Sequence, residues 1–230
     1  MMMRGGIPPL SSYYLTPTTN KKMLIGINGY SGSGKDTIGK LLQDLYPDQN
    51  WKIKKFAGKL KTVASLLTGI PESNFEDLEF KKTILGTEWW TPCDEGVQPM
   101  TVRELLQKLG TDGLRNGLHE NVWVNALIAD YKPEVVYRLN QTTGALESHT
   151  DNKLPNWVIT DVRFPNEAKV IKESGGYVIR VDRPGIKPIN NHRSETSLDG
   201  WNFDYKIGNV SDVLSLAFTV SNIMEEIFKK

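Results

Sequence analysis

Two short runs hold residue types at spacings that suit phosphate chemistry. In the first, Gly29-Tyr-Ser-Gly32-Ser33-Gly34-Lys35-Asp36-Thr37, glycines precede an ammonium and a hydroxyl. Backbone N–H groups without neighbouring Cβ atoms can wrap a polyphosphate, and a helix N-terminus behind them adds partial positive charge. Gly29-x4-Gly34-Lys35 has the spacing of a P-loop as far as the lysine, which would reach β- and γ-phosphates. Asp36 then stands where Ser or Thr is usual, and the hydroxyl comes one place late, at Thr37. The second run, Trp157-Val-Ile159-Thr-Asp161-Val-Arg163-Phe-Pro165, sets a carboxylate and a guanidinium two residues apart after an apolar stretch. An aspartate there can hold Mg²⁺ through water, with Arg163 aimed the same way toward phosphate, or it can simply cap the turn.

Such groups need rigid elements behind them. Leu24, Ile25 and Ile27 predict a buried parallel strand, and Ile38, Leu41, Leu42 and Leu45 predict a helix from about Asp36 through Tyr46, so the order is strand, glycine loop, helix. Trp51–Phe56 alternates as a strand expected beside the first, and Leu60–Leu67 reads as a helix ended by Gly69 and Pro71. A second short helix is expected over Glu72–Lys82 and an irregular, lid-like loop over residues 85–100. Thr101 with Glu104 forms a capping box for a helix that Gly110 ends or bends. Another helix is expected over Glu120–Tyr131, turning Trp123, Val124 and Leu127 inward, then a surface hairpin with Gly144 in its turn. Pro165 opens a helix carrying Ala168, Val170 and Ile171, Gly176–Val181 is a further buried strand and Phe203–Ile207 the last. Ser211 is expected to N-cap a terminal helix whose apolar face holds Val213, Leu214, Ala217, Val220, Met224 and Ile227.

Other cations offer themselves to phosphate, each with a plainer alternative. Lys59 and Lys61 on an amphipathic helix are ordinarily solvated, and Arg103 and Arg115 suit a bidentate grip or a surface ion pair equally. Arg183 and Arg193 flank a polar segment containing His192-Arg-Ser194-Glu195, where a covering loop would use them to neutralise a transferring group. Asn209 follows the last strand, where a sheet edge meets a nucleobase.

Composition narrows the class. Twenty-eight basic and 27 acidic residues give a net charge of +1, which argues against holding a nucleic-acid polymer by bulk electrostatics. The lone Cys93 rules out an intramolecular disulfide and a cysteine zinc site and suits a reducing cytoplasm. No apolar run approaches the ~20 residues of a membrane span. Residues 1–22, rich in Pro, Ser, Thr and Tyr, read as a flexible tail before a single domain over 23–230. Oligomeric state is not legible, and a homodimer is among the assemblies allowed.

Taken together, these residues resemble the deoxynucleoside monophosphate kinases of tailed bacteriophages. The likeness runs from Met23 to the C-terminus and rests on Gly-Ser-Gly-Lys35-Asp-Thr37, Phe56-Ala57 with Leu60-Lys61, Arg103-Glu-Leu-Leu-Gln107 with Gly110-Thr and Arg115, Trp123-Val, Thr160-Asp161-Val-Arg163-Phe-Pro-Asn-Glu-Ala168, His192-x-Ser194-Glu195, and Tyr205-x-Ile207-x-Asn209. Adenylate-kinase-like enzymes share the late threonine. The resemblance implies an adenylate-kinase-like α/β fold, ATP and Mg²⁺, and transfer of phosphate to a deoxynucleoside 5′-monophosphate in the host cytoplasm. It implies that Gly29, Gly32, Ser33, Gly34, Lys35, Asp36 and Thr37 hold the ATP phosphates, that Asp161 and Thr37 position Mg²⁺, and that Asn209 meets the adenine edge. Phe56, Lys61, Arg103, Arg115, Trp123 and Arg163 become candidates for the acceptor, and Arg183 and Arg193 with Lys35 and Arg163 for the transfer itself.

The expected architecture is three-layered: a five-stranded parallel sheet with helices on both faces, an acceptor-binding insertion over about 70–156 and a short lid over about 182–200. A kinase for dephospho-coenzyme A or a ribonucleoside monophosphate is the near rival. A P-loop ATPase driving a partner is the distant one, and neither a partner-facing apolar surface nor a water-positioning residue is evident for it.

Overall fold

Alternation along the first apolar run decides how one compact unit, made of the described residues within Met1–Lys55 and Tyr131–Lys230, is layered. The structure, a computed structural model, describes residues 23–133, 135–150, 154–188 and 193–230, so the expected tail and His192 lie outside the described residues. Strand β1 (Leu24–Asn28) is buried throughout. Its odd-numbered Ile25 and Ile27 share a core with Ile38, Leu41, Leu42 and Leu45 of α1 (Lys35–Leu45) and with Leu216, Ala217, Val220, Met224 and Ile227 of α7 (Val213–Lys229). Gly26 turns to the opposite face, where α5 (Pro165–Glu173) comes so close that a Cβ would sit 2.5 Å from Ile171 Cδ1. Helices therefore cover both faces, as expected. Each fully buried aliphatic side chain contributes roughly 1.5–3 kcal/mol, so the strand is held by what it excludes from water.

The parallel sheet has five strands in the order β2-β7-β1-β8-β9. Strands β7 (Trp157–Ile159) and β8 (Tyr177–Asp182) flank β1, and β9 (Tyr205–Gly208) adds to β8. One expectation fails here: β2 (Lys52–Lys54) pairs with β7, not with β1. The reason lies in burial. All of β7 is buried, which demands neighbours on both sides, whereas β2 is only half-buried and its two lysines suit an edge. The terminal helix also differs: Asp212, not Ser211, caps it by accepting from Ser215 N at 2.8 Å. Val213 and Leu214 are exposed, because the inward stripe begins at Leu216. The expected hairpin forms from β5 (Val135–Leu139) and β6 (Leu146–Thr150), with Gly144 in its turn.

The second unit spans Phe56–Asp130. Its helix α2 (Gly58–Thr68) ends at Gly69, whose N–H bonds Ser65 O at 2.8 Å. The helix expected over Glu72–Lys82 is two 3₁₀ turns, Glu72–Glu76 and Phe80–Lys82, split where Asp77 breaks the ladder and accepts from Phe80 N at 2.7 Å. The loop over 85–100 contains a small hairpin, β3 (Thr91–Cys93) with β4 (Gly96–Gln98). The Thr101–Glu104 capping box forms and starts α3 (Val102–Gln107). Beyond it the ladder does not stop at Gly110 but widens into a π-helical stretch, Lys108–Asn116. Helix α4 (Val122–Ile128) buries Trp123, Val124 and Leu127. Ala64, Phe75, Leu85, Val102 and Leu105 make this unit's own core.

Candidate active site

The glycine loop sits where β1 leaves the sheet and α1 begins. Gly34 adopts φ 105°, and a Cβ there would lie 2.6 Å from Asn209 Nδ2; at Gly29 a Cβ would lie 2.5 Å from Val181 O. Only glycine lets the main chain pass so near its supports in that conformation. Asn209 Nδ2 donates to Ser33 O at 2.9 Å, Ser33 N to Tyr30 O at 3.1 Å, and Ile38 N to Gly34 O at 3.1 Å. The loop is thus braced from within, from α1 and from the segment after β9. Ser33 Oγ is buried with no hydrogen-bond partner among the described residues, an arrangement suited to a ligand acceptor such as phosphate.

Lys35 folds over this loop. Its Nζ donates to Gly29 O and Tyr30 O, both at 2.6 Å, and the residue is 9 % exposed. Burial lowers its pKa to about 8, helped by the Arg163 guanidinium and opposed by Asp36, Glu195 and Asp161. Arg163, Asp161 and Glu195 therefore each lie within electrostatic reach of the lysine.

Strand order explains why. Because β7 lies beside β1, the two strands end side by side: Val162 N donates to Ile27 O at 3.2 Å and Asn28 Nδ2 to Val162 O at 2.7 Å. That places buried Asp161 next to the glycine loop, at the carboxyl edge where ligands of parallel sheets bind. Glu167 braces the turn, its Oε2 accepting from Arg163 N at 2.8 Å and Phe164 N at 3.1 Å. Arg163 Nη1 donates to Glu195 Oε1 at 2.6 Å, with Ser194 O and Oγ at 3.5 Å. Glu195 belongs to α6 (Arg193–Thr196), so the His192-x-Ser194-Glu195 run, left without a role by the sequence, supplies the arginine's counter-ion.

Asp36, at the position where a P-loop usually has a hydroxyl, is held on one side by the sheet. It accepts from Thr160 Oγ1 at 2.7 Å and pairs with Lys55 at 3.3 Å. Burial pushes its pKa up, but the Thr160 bond and Lys55 together outweigh that and hold it below the usual value. Thr37 is exposed beside it. Among the described residues no three His, Cys, Asp or Glu side chains group as a metal site. Mg²⁺ does not need one, since it commonly takes one or two carboxylates, water and substrate phosphates. Asp161 and Thr37 fit that smaller demand.

The remaining candidates divide. Arg183 is exposed and Nη1 lies 3.4 Å from Gly32 O, so it borders the cradle; Arg193 is exposed at the start of α6. Phe56, Lys61, Arg103, Arg115 and Trp123 all belong to the second unit. There Phe56 and Trp123 are buried, Trp123 Nε1 donating to Gly110 O at 2.8 Å. Lys61 is buried against the Glu76 carboxylate. Arg115 is buried with Nη1 donating to Glu120 O at 3.1 Å, and Arg103 is half-buried. Sequence reasoning missed Arg180, buried between Asn28 Oδ1 (2.6 Å), Asp182 (2.8 Å) and the Tyr30 ring (4.6 Å). Tyr30 hydroxyl in turn donates to Asp199 at 2.9 Å. Alternation within β8 put Arg180 on the face away from Ile179 and Val181, which was the one available signal.

Among the described residues, no helix is long and apolar enough to cross a membrane. A family model described as deoxynucleotide monophosphate kinase matches residues 72–220. A protein of Acanthamoeba polyphaga mimivirus that carries that family's name is 32% identical over 183 residues, 76% of this chain and 82% of its own. The deoxynucleoside-5′-monophosphate kinase of Escherichia phage T5 is 26% identical over 202 residues, 66% of this chain and 72% of its own. Among solved structures, an APS kinase from Mycobacterium tuberculosis superposes over 89% of this chain at 12% identity, with a TM-score of 0.37.

Proposed function

This chain belongs to the deoxynucleotide monophosphate kinase family, and from that membership and the site we propose that it transfers a phosphoryl group from ATP, with Mg²⁺, to a deoxynucleoside 5′-monophosphate, giving the diphosphate. The observation that carries the reading is the convergence of Lys35, Asp161 and Arg163 at one sheet edge beside the glycine loop. An ATPase needs only the loop and a placed water; an acceptor-dependent kinase needs further cations for a second anion, which Arg163 supplies.

The acceptor phosphate is already an anion at neutral pH and requires no general base. Catalysis then rests on holding two phosphates in line and spreading the negative charge that develops between them. The loop amides and Ser33 hold the donor phosphates, and Lys35 turns from the Gly29 and Tyr30 carbonyls to the β- and γ-oxygens. Asp161 and Thr37 are the groups that would hold Mg²⁺, which supplies charge neutralisation between donor phosphates when bound. Arg163, half-exposed, is proposed to take the transferring group, and Arg183 and Arg193 are proposed to cover it. Arg103 and Arg115 are the proposed grips on the acceptor; Asn209 braces the loop at Ser33 and is proposed to face the donor base. The cytoplasm that supplies both nucleotides is the proposed setting.

The test is ADP release from ATP with and without a panel of deoxynucleoside and ribonucleoside monophosphates. Release that depends strongly on a deoxynucleoside monophosphate is the expected result; acceptor-independent turnover identifies an ATPase, and preference for another acceptor identifies the rival kinase.

A further inference from the structure

Glu195 is a costly residue to keep. Its side chain is 4 % exposed, Oε1 meets Arg163 Nη1 at 2.6 Å, and Oε2 is buried with no hydrogen-bond partner among the described residues. A carboxylate chosen only to hold the fold would have both oxygens satisfied or would face water. The pairing is also one-pronged. Arginine and carboxylate commonly meet fork to fork, which would occupy two guanidinium nitrogens, yet here a single nitrogen is engaged by the carboxylate. The arginine side chain stays 36 % exposed, leaving its other N–H groups for a second partner.

We propose that Glu195 is a positioning residue for phosphoryl transfer, which grips Arg163 by one nitrogen so that the rest of the guanidinium is presented to the transferring phosphate. The inference rests on the kinase reading above. Arg163 and Asp161 both act on Lys35, so the arginine shares its charge cluster with another carboxylate besides Glu195. Drawn onto Asp161 it would neutralise the group meant for the metal; drawn outward it would miss the phosphate. A buried carboxylate on the neighbouring α6 removes both alternatives, and Glu167 fixes the arginine's backbone from the other end.

The experiment is steady-state kinetics with ATP and the preferred deoxynucleoside monophosphate on wild type, E195Q, R163A and E195Q/R163A, with thermal unfolding of each. E195Q keeps the shape and loses the charge. The expected result is a kcat lower by about 10- to 100-fold, with the KM for ATP within about threefold, as befits an interaction felt mainly in the transition state. E195Q in the R163A background should then cost less than about twofold more, because the carboxylate acts through that arginine. The inference is overturned by an E195Q kcat within twofold of wild type, by a tenfold additional loss in the double variant, or by E195Q proteins that fail to fold in both backgrounds, which makes Glu195 a structural residue. A wild type without acceptor-dependent turnover instead overturns the kinase reading, so the two failures are distinct.

Discussion

Two lysines in two regions of this molecule are equally hidden and differently used. Lys35, in the glycine loop, is 9 % exposed, and Lys61, on α2 of the second unit, is 7 % exposed. Lys35 Nζ rests on two carbonyl oxygens, whereas Lys61 Nζ has the carboxylate of Glu76. A carbonyl offers a dipole where a carboxylate offers a full charge. The loop lysine therefore remains short of negative charge, and burial drags its pKa to about 8. The second lysine already has its anion. Burial of a cation thus marks a ligand site only where the neighbouring acceptors leave charge uncompensated.

The sharpest way to break this contrast is Lys35→Ala. Removing the ammonium should lower kcat/KM by about 10³-fold or more, since it contributes to a transition state that few other groups neutralise. Circular dichroism should stay unchanged, because the side chain fills no core. Near-normal turnover with intact secondary structure removes the loop from the mechanism.

Arg115→Ala probes the second unit at the arginine proposed to grip the acceptor. Its Nη1 donates to the Glu120 carbonyl at 3.1 Å. Loss of a charge-assisted bond of about 1.5–3 kcal/mol should raise the acceptor's KM roughly 10- to 100-fold. The donor's KM should hold. If only the donor's apparent affinity moves, that arginine does not grip the acceptor.

A third, smaller effect should appear on titration. Lys35 in the free protein loses its charge as pH rises through about 8, so kcat/KM for the donor should fall above that value by at most tenfold per pH unit. Bound phosphates restore the proton, so kcat at saturating donor should change less over pH 7 to about 9.5. The same depression means that the charged lysine weakens the fold below pH about 8, a cost relieved as pH climbs toward 10.5, the side chain's ordinary value. A flat profile of kcat/KM across that range denies the loop lysine its shifted pKa.

The contrast also separates what the sequence could tell from what it could not. The loop geometry at Gly29, Gly34 and Lys35 was legible because it is local and follows from residue spacing within one turn of chain. Asp161 was legible for a similar reason, as the end of an apolar run before a proline-led helix. Glu195 was visible as part of an odd run but without a role, since its partner Arg163 lies 32 residues away. Glu76 was not singled out at all, because only tertiary folding puts it on Lys61. The place of β2 was misread for the same cause, as no pattern within Lys52–Lys54 says that β7 will come between it and β1. At the last helix, Ser211 and Asp212 are both good caps one residue apart, and an error of one place sufficed to expose Val213 and Leu214.

The smallest expected effect decides what Lys61 is for. Its place in the resemblance makes it an acceptor ligand, while its pairing with Glu76 makes it a clamp between α2 and the first 3₁₀ turn of its own unit. Lys61→Met keeps the buried stem and removes the charge, and the Glu76 side chain, 51 % exposed, already meets water. A half-exposed pair is screened, so the loss should be only about 0.5–1 kcal/mol, or roughly 1–4 °C in Tm for a chain of this size. Acceptor KM should change by less than about twofold, because a lysine that already holds an anion has little charge left for another. A tenfold rise in acceptor KM at unchanged Tm reverses that assignment: Glu76 would then be a placeholder that the nucleotide phosphate displaces, and a carboxylate partner would no longer distinguish a structural lysine from a binding one.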